Sequence, residues 1–138
     1  MNADEKQGIS SELIQLPFAT MKFREEGILE IRINPYHITT SDDLRFLHKL
    51  KGGKGGGKKY PNLIVMGFHS SADHTARAFS ASEESQAYRK ADAFVISSLA
   101  QRIIANFYIK VQRPKVPTRF FNNEELALNW LRTFLPKK

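Results

Sequence analysis

The fold is decided by the stretch Asn62-Leu-Ile-Val-Met-Gly-Phe68. Its continuous apolar character is typical of a strand at the centre of a sheet that is covered on both faces. A second apolar stretch, Ala91-Asp-Ala-Phe-Val-Ile96, predicts another central strand. We therefore expect a sheet with these two parallel strands in its middle. Four of their side chains should be nearly fully buried, namely Leu63, Val65, Phe94 and Ile96.

Strands and helices alternate along the rest of the chain. Residues 13–25 and 28–33 alternate in polarity with a period of two, as half-buried strands do, and Glu26-Gly27 predicts the hairpin turn between them. A further short strand is predicted at residues 118–121. Helices are predicted where apolar residues recur at helical spacing after a capping residue. The candidate caps are Ser41, Asp73, Ser97 or Ser98, and the segment Asn122-Asn123-Glu124-Glu125.

The predicted element order is therefore β-β-α-β-α-β-α-β-α. It indicates an α/β fold in which helices pack on a mostly parallel sheet of about five strands, after an initial antiparallel hairpin. The length of 138 residues suits one domain, which we place at residues 12–136 after a polar leader at residues 1–11. In the last helix, Trp130 should pack on the sheet.

The composition excludes several classes of protein. The chain has no Cys, which excludes disulfides, thiolate metal sites and cysteine nucleophiles. No apolar run approaches the roughly 18 residues of a membrane-spanning helix. The leader lacks the basic start and apolar stretch of a secretory signal, so we expect a cytoplasmic protein.

The net charge of +7 is concentrated in two segments, which are Lys49 to Lys59, and Lys110 to Arg119 together with the tail Lys137-Lys138. The first contains the Gly/Lys segment at residues 51–59, which we predict to be a flexible loop because glycine is costly to order. Its spacing matches a phosphate-binding loop, but it follows a helix and has Lys59 where such a loop has Ser or Thr. The second is a candidate anion-binding site formed by Lys110, Arg113, Lys115 and Arg119.

Three stretches resemble the STAS/SpoIIAA-like family when taken with the element order. They are Lys90-Ala-Asp-Ala-Phe-Val-Ile-Ser97, residues 101–108 and Phe120-Phe-Asn-Asn-Glu-Glu-Leu-Ala-Leu-Asn-Trp-Leu131. The resemblance runs from about residue 13 to residue 135. It implies a small α/β domain without catalytic groups that acts as a regulatory binding module. Some relatives are grouped with lipid-binding SEC14-like domains.

The resemblance also directs attention to one turn. Anti-sigma-factor antagonists of the family carry an Asp-Ser-Ser-Gly turn whose Ser accepts phosphate at a helix start; the corresponding residues here are His69-Ser70-Ser71-Ala72. This identifies Ser70, Ser71 and Asp73 as candidates for a phospho-acceptor or partner-binding turn. The alternative is that both serines are ordinary turn and capping residues.

Two functions follow as hypotheses. The first is a non-enzymatic regulatory or protein-interaction module, with a protein partner and a homodimer as expected associations and no cofactor. The alternative is a binding module for an anionic ligand, either a lipid headgroup or a nucleic acid, that uses the basic segments.

A hydrolase built on Ser70, Ser71 and His74 is a third and weaker hypothesis, and no residue spacing indicates a metal site. A closed apolar cavity under the second and third helices would favour a lipid or cofactor over a partner switch.

Overall fold

A six-stranded sheet forms the centre of the computed structural model, which describes residues 13–136. The predicted leader at residues 1–11 lies outside the described residues. The strands of this sheet, in spatial order, are β1 (Ile14–Gln15), β2 (Ala19–Phe23), β3 (Leu29–Ile33), β5 (Tyr60–Val65), β7 (Arg89–Val95) and β8 (Thr118–Phe121). Two short strands, β4 (Ile38–Thr39) and β6 (Ser71–Ala72), form a separate parallel pair.

Four helices pack on the sheet. They are α1 (Ser41–Gly53), α2 (His74–Ser80), α3 (Leu99–Phe107) and α4 (Glu124–Arg132). A 3₁₀ turn at Glu84–Tyr88 precedes β7, and a π turn at Tyr108–Gln112 extends α3. The first three strands of the sheet are antiparallel, and the pairs β3·β5, β5·β7 and β7·β8 are parallel. The predicted α/β class and mostly parallel sheet are confirmed.

The sheet has one strand more than predicted because the first predicted strand is divided. Residues 14–15 pair with β2 as a separate strand, and the amide of Leu16 donates to the carbonyl of Ala19 at 2.8 Å. Pro17 lies in this turn and has no amide hydrogen to contribute to a continuous ladder.

The two faces of the sheet are covered unequally. Helices α1, α2 and α3 cover one face, and α4 covers the other. Leu63 and Ile96 are buried as predicted, but the prediction is wrong for Val65 and Phe94, which are half-buried. Val65 lies on the face that α4 covers alone, and Phe94 lines a cavity on the opposite face. Leu63 lies on the same face as Val65 and is fully buried, so burial differs between positions on one face.

Helix α1 differs from the prediction at both ends. Its N-cap is Thr40, because Thr40 Oγ1 accepts from the Asp43 amide at 3.3 Å and Asp43 Oδ2 accepts from the Thr40 amide at 3.1 Å. Ser41 is the first helical residue. At the other end, residues 51–53 belong to the helix, so the connection to β5 is shorter than the predicted loop at residues 51–59. Flexibility of the remaining segment stays a prediction.

The other helix starts agree with the sequence. Asp73, Ser98 and Asn123 each accept a hydrogen bond from the amide three residues later. In α4, Ala127 and Leu131 are fully buried against the sheet. Trp130 is half-buried and contacts the ring of Phe121 on β8, with 5.9 Å between ring centroids.

Candidate functional site

A cavity of about 140 Å³ lies between the sheet and helices α1, α2 and α3. Its walls are mostly apolar. The sheet contributes side chains from β3, β5, β7 and β8, and α3 contributes further ones. The lining includes Ile31, Ile64, Phe94, Phe120, Ile104 and Ala105. The rings of Phe94 and Phe120 stack at 5.1 Å between centroids. The cavity lies under the second and third helices, but it is partly open to solvent and not closed.

A hydrogen-bonded polar network forms one part of the wall. Asp92 on β7 accepts from Arg89 Nε at 3.0 Å and from Nδ2 of the Asn62 side chain at 2.9 Å. The Arg89 guanidinium also donates to the carbonyl of Ser80 at 2.6 Å and to Ser85 Oγ at 2.8 Å. Because Asp92 is paired within this network, its charge is compensated by Arg89.

Lys51 faces the same cavity from the last turn of α1. It follows Leu47 by four residues, so it lies on the apolar face of the helix that packs against the sheet. Within the described part of the chain the Lys51 ammonium has no ion-pair partner. Burial lowers the pKa of Lys51 to about 8, and the nearby Asp92 partly opposes this shift. Lys51 is therefore a charged side chain at neutral pH in a mostly apolar cavity.

Two further lining residues carry polar atoms without a partner among the described residues. These atoms are the buried Oγ1 of Thr39 and the buried Nε of Arg77. Burial also lowers the pKa of His48, another lining residue, and the neighbouring Lys51 adds to the effect, so His48 is neutral at pH 7. The cavity thus offers two cationic groups, one hydroxyl and one neutral imidazole to a bound molecule.

The turn at residues 69–73 forms the edge of this cavity. Ser70 is only 2 % exposed, and its carbonyl accepts from Gln101 Nε2 at 3.0 Å. Ser71 is half-buried, lies on β6 and lines the cavity. Asp73 caps α2, accepting from the Ala76 amide at 2.9 Å. The structure therefore brings the three predicted residues together, but it presents Ser71 and not Ser70 at an accessible position.

Next to this turn lies an aromatic cluster that the sequence analysis missed. Tyr36 and Phe68 are exposed, with 5.7 Å between ring centroids, and His69 stacks against both. Tyr36 and His69 have positive φ angles of 64° and 55°, which are unusual for residues other than glycine. The apolar run that predicts β5 continues through Phe68, which conceals that Phe68 leaves the sheet.

The predicted anion-binding residues are all exposed but do not form one site. Lys110 and Arg113 lie in and just after the π turn, and Lys115 follows in the loop. Arg119 lies on β8, where it faces α4 and stacks over the rings of Phe121 and Trp130. The first three residues thus belong to the end of α3, and Arg119 belongs to the opposite face of the sheet.

A hydrolase of the kind considered from the sequence would need His74 to contact Ser70 or Ser71. No hydrogen bond joins His74 to Ser70 or Ser71 within residues 13–136, so these residues do not form a relay there. No group of three His, Asp or Glu side chains in the same residues could hold a metal ion. Among the described helices, none combines the length and the hydropathy needed to span a bilayer.

Comparisons with known proteins give a family and a structural neighbour. A search of curated proteins finds no significant match. Among solved structures, the chain is similar to an uncharacterized protein of the DUF3478 family from Shewanella loihica PV-4. The two share 18 % sequence identity and a TM-score of 0.48, over 90 % of this chain and 93 % of that chain. That protein is described as having a SpoIIAA-like fold. The model of the family DUF7793, described as a domain of unknown function, matches residues 21–135, and the chain therefore belongs to this family.

Proposed function

We infer that this protein is a non-enzymatic, STAS-type regulatory module that binds a small organic anion in the cavity between the sheet and helices α1 to α3. One observation carries this inference: the mostly apolar cavity is lined by Lys51, a lysine without an ion-pair partner among the described residues. Lys51 is half-buried, and a charge that is partly removed from water is costly unless it is paired. A bound anion would provide the missing partner.

The volume limits the size of the ligand. A dry cavity of about 150 Å³ lined by Leu, Ile and Phe holds a molecule as large as benzene. The cavity here has a volume of about 140 Å³ and a similar lining. We therefore expect an apolar body of one aromatic ring or a short acyl chain, and not a long-chain lipid.

The charged side chains of the cavity wall determine which polar group the ligand carries. Three basic side chains and one acidic side chain line the cavity, and Arg89 already binds the acid, Asp92. Lys51 and Arg77 are therefore the basic side chains that could bind an anionic ligand. A carboxylate is the simplest group that could accept from these donors and from the Thr39 hydroxyl. The ligand class is therefore a small aromatic or aliphatic carboxylate.

The position of the cavity suggests how binding could regulate a partner. Ser71, Ala72 and Ala76 line the cavity and also belong to the turn and helix that the STAS/SpoIIAA resemblance identifies as partner-binding. A ligand that contacts this wall would favour one arrangement of the turn over others, to the extent that it binds that arrangement more tightly. Ligand binding and partner binding would then be coupled in both directions.

Thermal unfolding with a panel of ligands tests the proposal. Benzoate and hexanoate should each raise the melting temperature, whereas benzamide, the uncharged analogue of benzoate, should raise it less. The matched control is Ala105→Leu, which fills the cavity from α3 and should remove the shift while the protein stays folded. Equal shifts for benzoate and benzamide, or an unchanged shift in the Ala105→Leu variant, would contradict the proposal.

A direct protein-interaction function is a second candidate, favoured by the exposed cluster of Tyr36, Phe68 and His69. Aromatic side chains that project from a surface are common anchors in protein interfaces. A homodimer or another protein could use this cluster together with Ser71. The double variant Tyr36→Ser, Phe68→Ser should abolish such binding and leave the melting temperature nearly unchanged, and sedimentation would detect loss of a dimer.

A further inference from the structure

The outer face of α3 is apolar and exposed. Leu99, Ile103 and Phe107 recur every four residues along the helix and are 74 %, 59 % and 47 % exposed. The opposite face of the same helix carries Gln101 and Ala105, which are buried. The inner face of the helix therefore packs in the fold, and the outer face is apolar and unused by the fold. We call Leu99, Ile103 and Phe107 the α3 stripe.

The exposed apolar surface continues beyond the helix. In the π turn, Ile109 and Val111 are also exposed. Five large apolar side chains thus project from 13 consecutive residues, which is a much denser patch than the single exposed apolar residues common on protein surfaces.

The charge around the α3 stripe has one sign. Residues 93–123 contain no Asp or Glu. They contain five basic residues, all exposed. Arg119 lies on β8 and faces α4 on the other side of the sheet. The other four lie on α3 or shortly after it, and we call them the basic flank: Arg102, Lys110, Arg113 and Lys115. None of the five forms an ion pair within the described residues. Arg102 lies on α3 beside the stripe, and Lys110 and Arg113 follow at its end.

We propose that the α3 stripe and its basic flank dock on the surface of an anionic lipid bilayer. An amphipathic helix with an apolar face and basic flanks lies in the interface of such a bilayer, with the apolar side chains inserted and the cations near the headgroups. Leu, Ile and Phe on the stripe suit insertion, and the cations without ion-pair partners suit anionic headgroups. This proposal is independent of the cavity ligand.

Two other occupants fit the same surface less well. If a second copy covered the stripe about a two-fold axis, the basic flank of one copy would face that of the other, and like charges would repel. A nucleic acid would satisfy the cations, but aliphatic side chains such as Leu99 and Ile103 provide no ring on which bases could stack. A bilayer is the partner that uses both the apolar side chains and the charge.

Vesicle co-sedimentation tests the proposal. The full chain is mixed with vesicles of phosphatidylcholine alone or with about one third phosphatidylserine, at low and high salt. We expect binding to the anionic vesicles only, with affinity that falls as salt rises. Ile103→Glu should reduce binding at least tenfold. The double variant Lys110→Gln, Arg113→Gln should reduce it about 25-fold, since each basic residue contributes about fivefold.

Leu126 provides the matched control. It is an exposed leucine, at 55 %, on α4 at the opposite face of the sheet. Leu126→Glu should bind anionic vesicles like the parent, and circular dichroism should show all variants folded. The proposal would be overturned if the protein bound neutral and anionic vesicles equally, or if it bound neither. It would also be overturned if Ile103→Glu and Leu126→Glu lost the same amount of vesicle binding. A dimer in solution that Ile103→Glu dissociates, without vesicle binding, would also overturn it and assign the stripe to a second copy.

Discussion

The guanidinium of Arg89 binds the carboxylate of Asp92 in the interior of the protein, with Nε and Oδ2 3.0 Å apart. Both side chains are almost fully buried. This pair compensates the one acidic group on the cavity wall and leaves Lys51 without a partner. The cationic character of the cavity therefore depends on an ion pair in its wall.

The Asp92→Ala variant should be strongly destabilised. Removing one partner of a buried ion pair leaves the other charge uncompensated, which costs about 3 to 5 kcal/mol of unfolding free energy. The control is Glu84→Gln, which removes the exposed Arg45–Glu84 pair at 3.4 Å and should cost less than about 1 kcal/mol. Urea unfolding measures both, and similar costs for the two variants would contradict the account.

Lys51 should make stability depend on pH. Its pKa is about 8 in the folded protein and 10.5 in the unfolded chain, so between these values the unfolded chain binds more protons. The free energy of unfolding should therefore rise with pH, by about 1 to 2 kcal/mol between pH 8 and about pH 9.5. Well below pH 8 Lys51 is protonated in both states and contributes no slope.

The Lys51→Met variant tests this dependence. It should be more stable than the parent at pH 7, because the buried charge is gone, and it should lose the rise between pH 8 and about pH 9.5. Lys59→Met, which replaces an exposed lysine of the same segment, should keep the rise. The account fails if both variants show the same pH profile.

Two glycines of the Gly/Lys segment should respond in opposite ways to alanine. A Cβ at Gly53 would meet nothing within 4 Å, so Gly53→Ala should stabilise the helix end by about 0.5 to 1 kcal/mol. A Cβ at Gly55 would lie 2.5 Å from the Lys51 carbonyl oxygen and 3.2 Å from the Phe23 ring, so Gly55→Ala should cost more than about 1 kcal/mol. If the segment were a disordered loop, both changes would be nearly neutral in thermal unfolding.

On the other face of the sheet, Leu131 should contribute more to stability than Trp130. Leu131 is fully buried, and Leu131→Ala should cost about 3 to 5 kcal/mol. Trp130 is half-buried between Phe121 and Phe134, so Trp130→Ala should cost about 2 to 3 kcal/mol, less than a fully buried aromatic residue does. Chemical denaturation measures the free energy of unfolding that each variant loses. A larger loss in Trp130→Ala than in Leu131→Ala would contradict the expected order.

The central strands and most helix starts could be predicted from the sequence because they depend on local chemistry. The apolar run after Pro61 and the side-chain caps at Asp73, Ser98 and Asn123 act within a few residues. The end of α1 could not be predicted in this way. Its helix continues through Gly52 and Gly53 despite their low helix propensity, because packing of the apolar face on the sheet outweighs propensity.

The cavity could not be predicted for a different reason. Ile64, Phe94 and Phe120 have the pattern of ordinary core residues, and periodicity indicates which side of a strand faces inward. It does not indicate whether the opposing side chains fill the space between the layers. Lys51 was assigned to a loop, so its place beside these residues became apparent only in the structure.

Calorimetric titration of the parent and of Lys51→Met with benzoate and with benzamide tests the central claim most directly. The account predicts that the parent binds benzoate at least tenfold more tightly than benzamide, because a hydrogen bond to a charged group contributes about 1.5 to 3 kcal/mol. In Lys51→Met the affinity for benzoate should fall about 10- to 100-fold, while benzamide binds as before. Benzoate binding that is unchanged in Lys51→Met, or that is absent from the folded parent, would contradict the proposal that this cavity binds an organic anion.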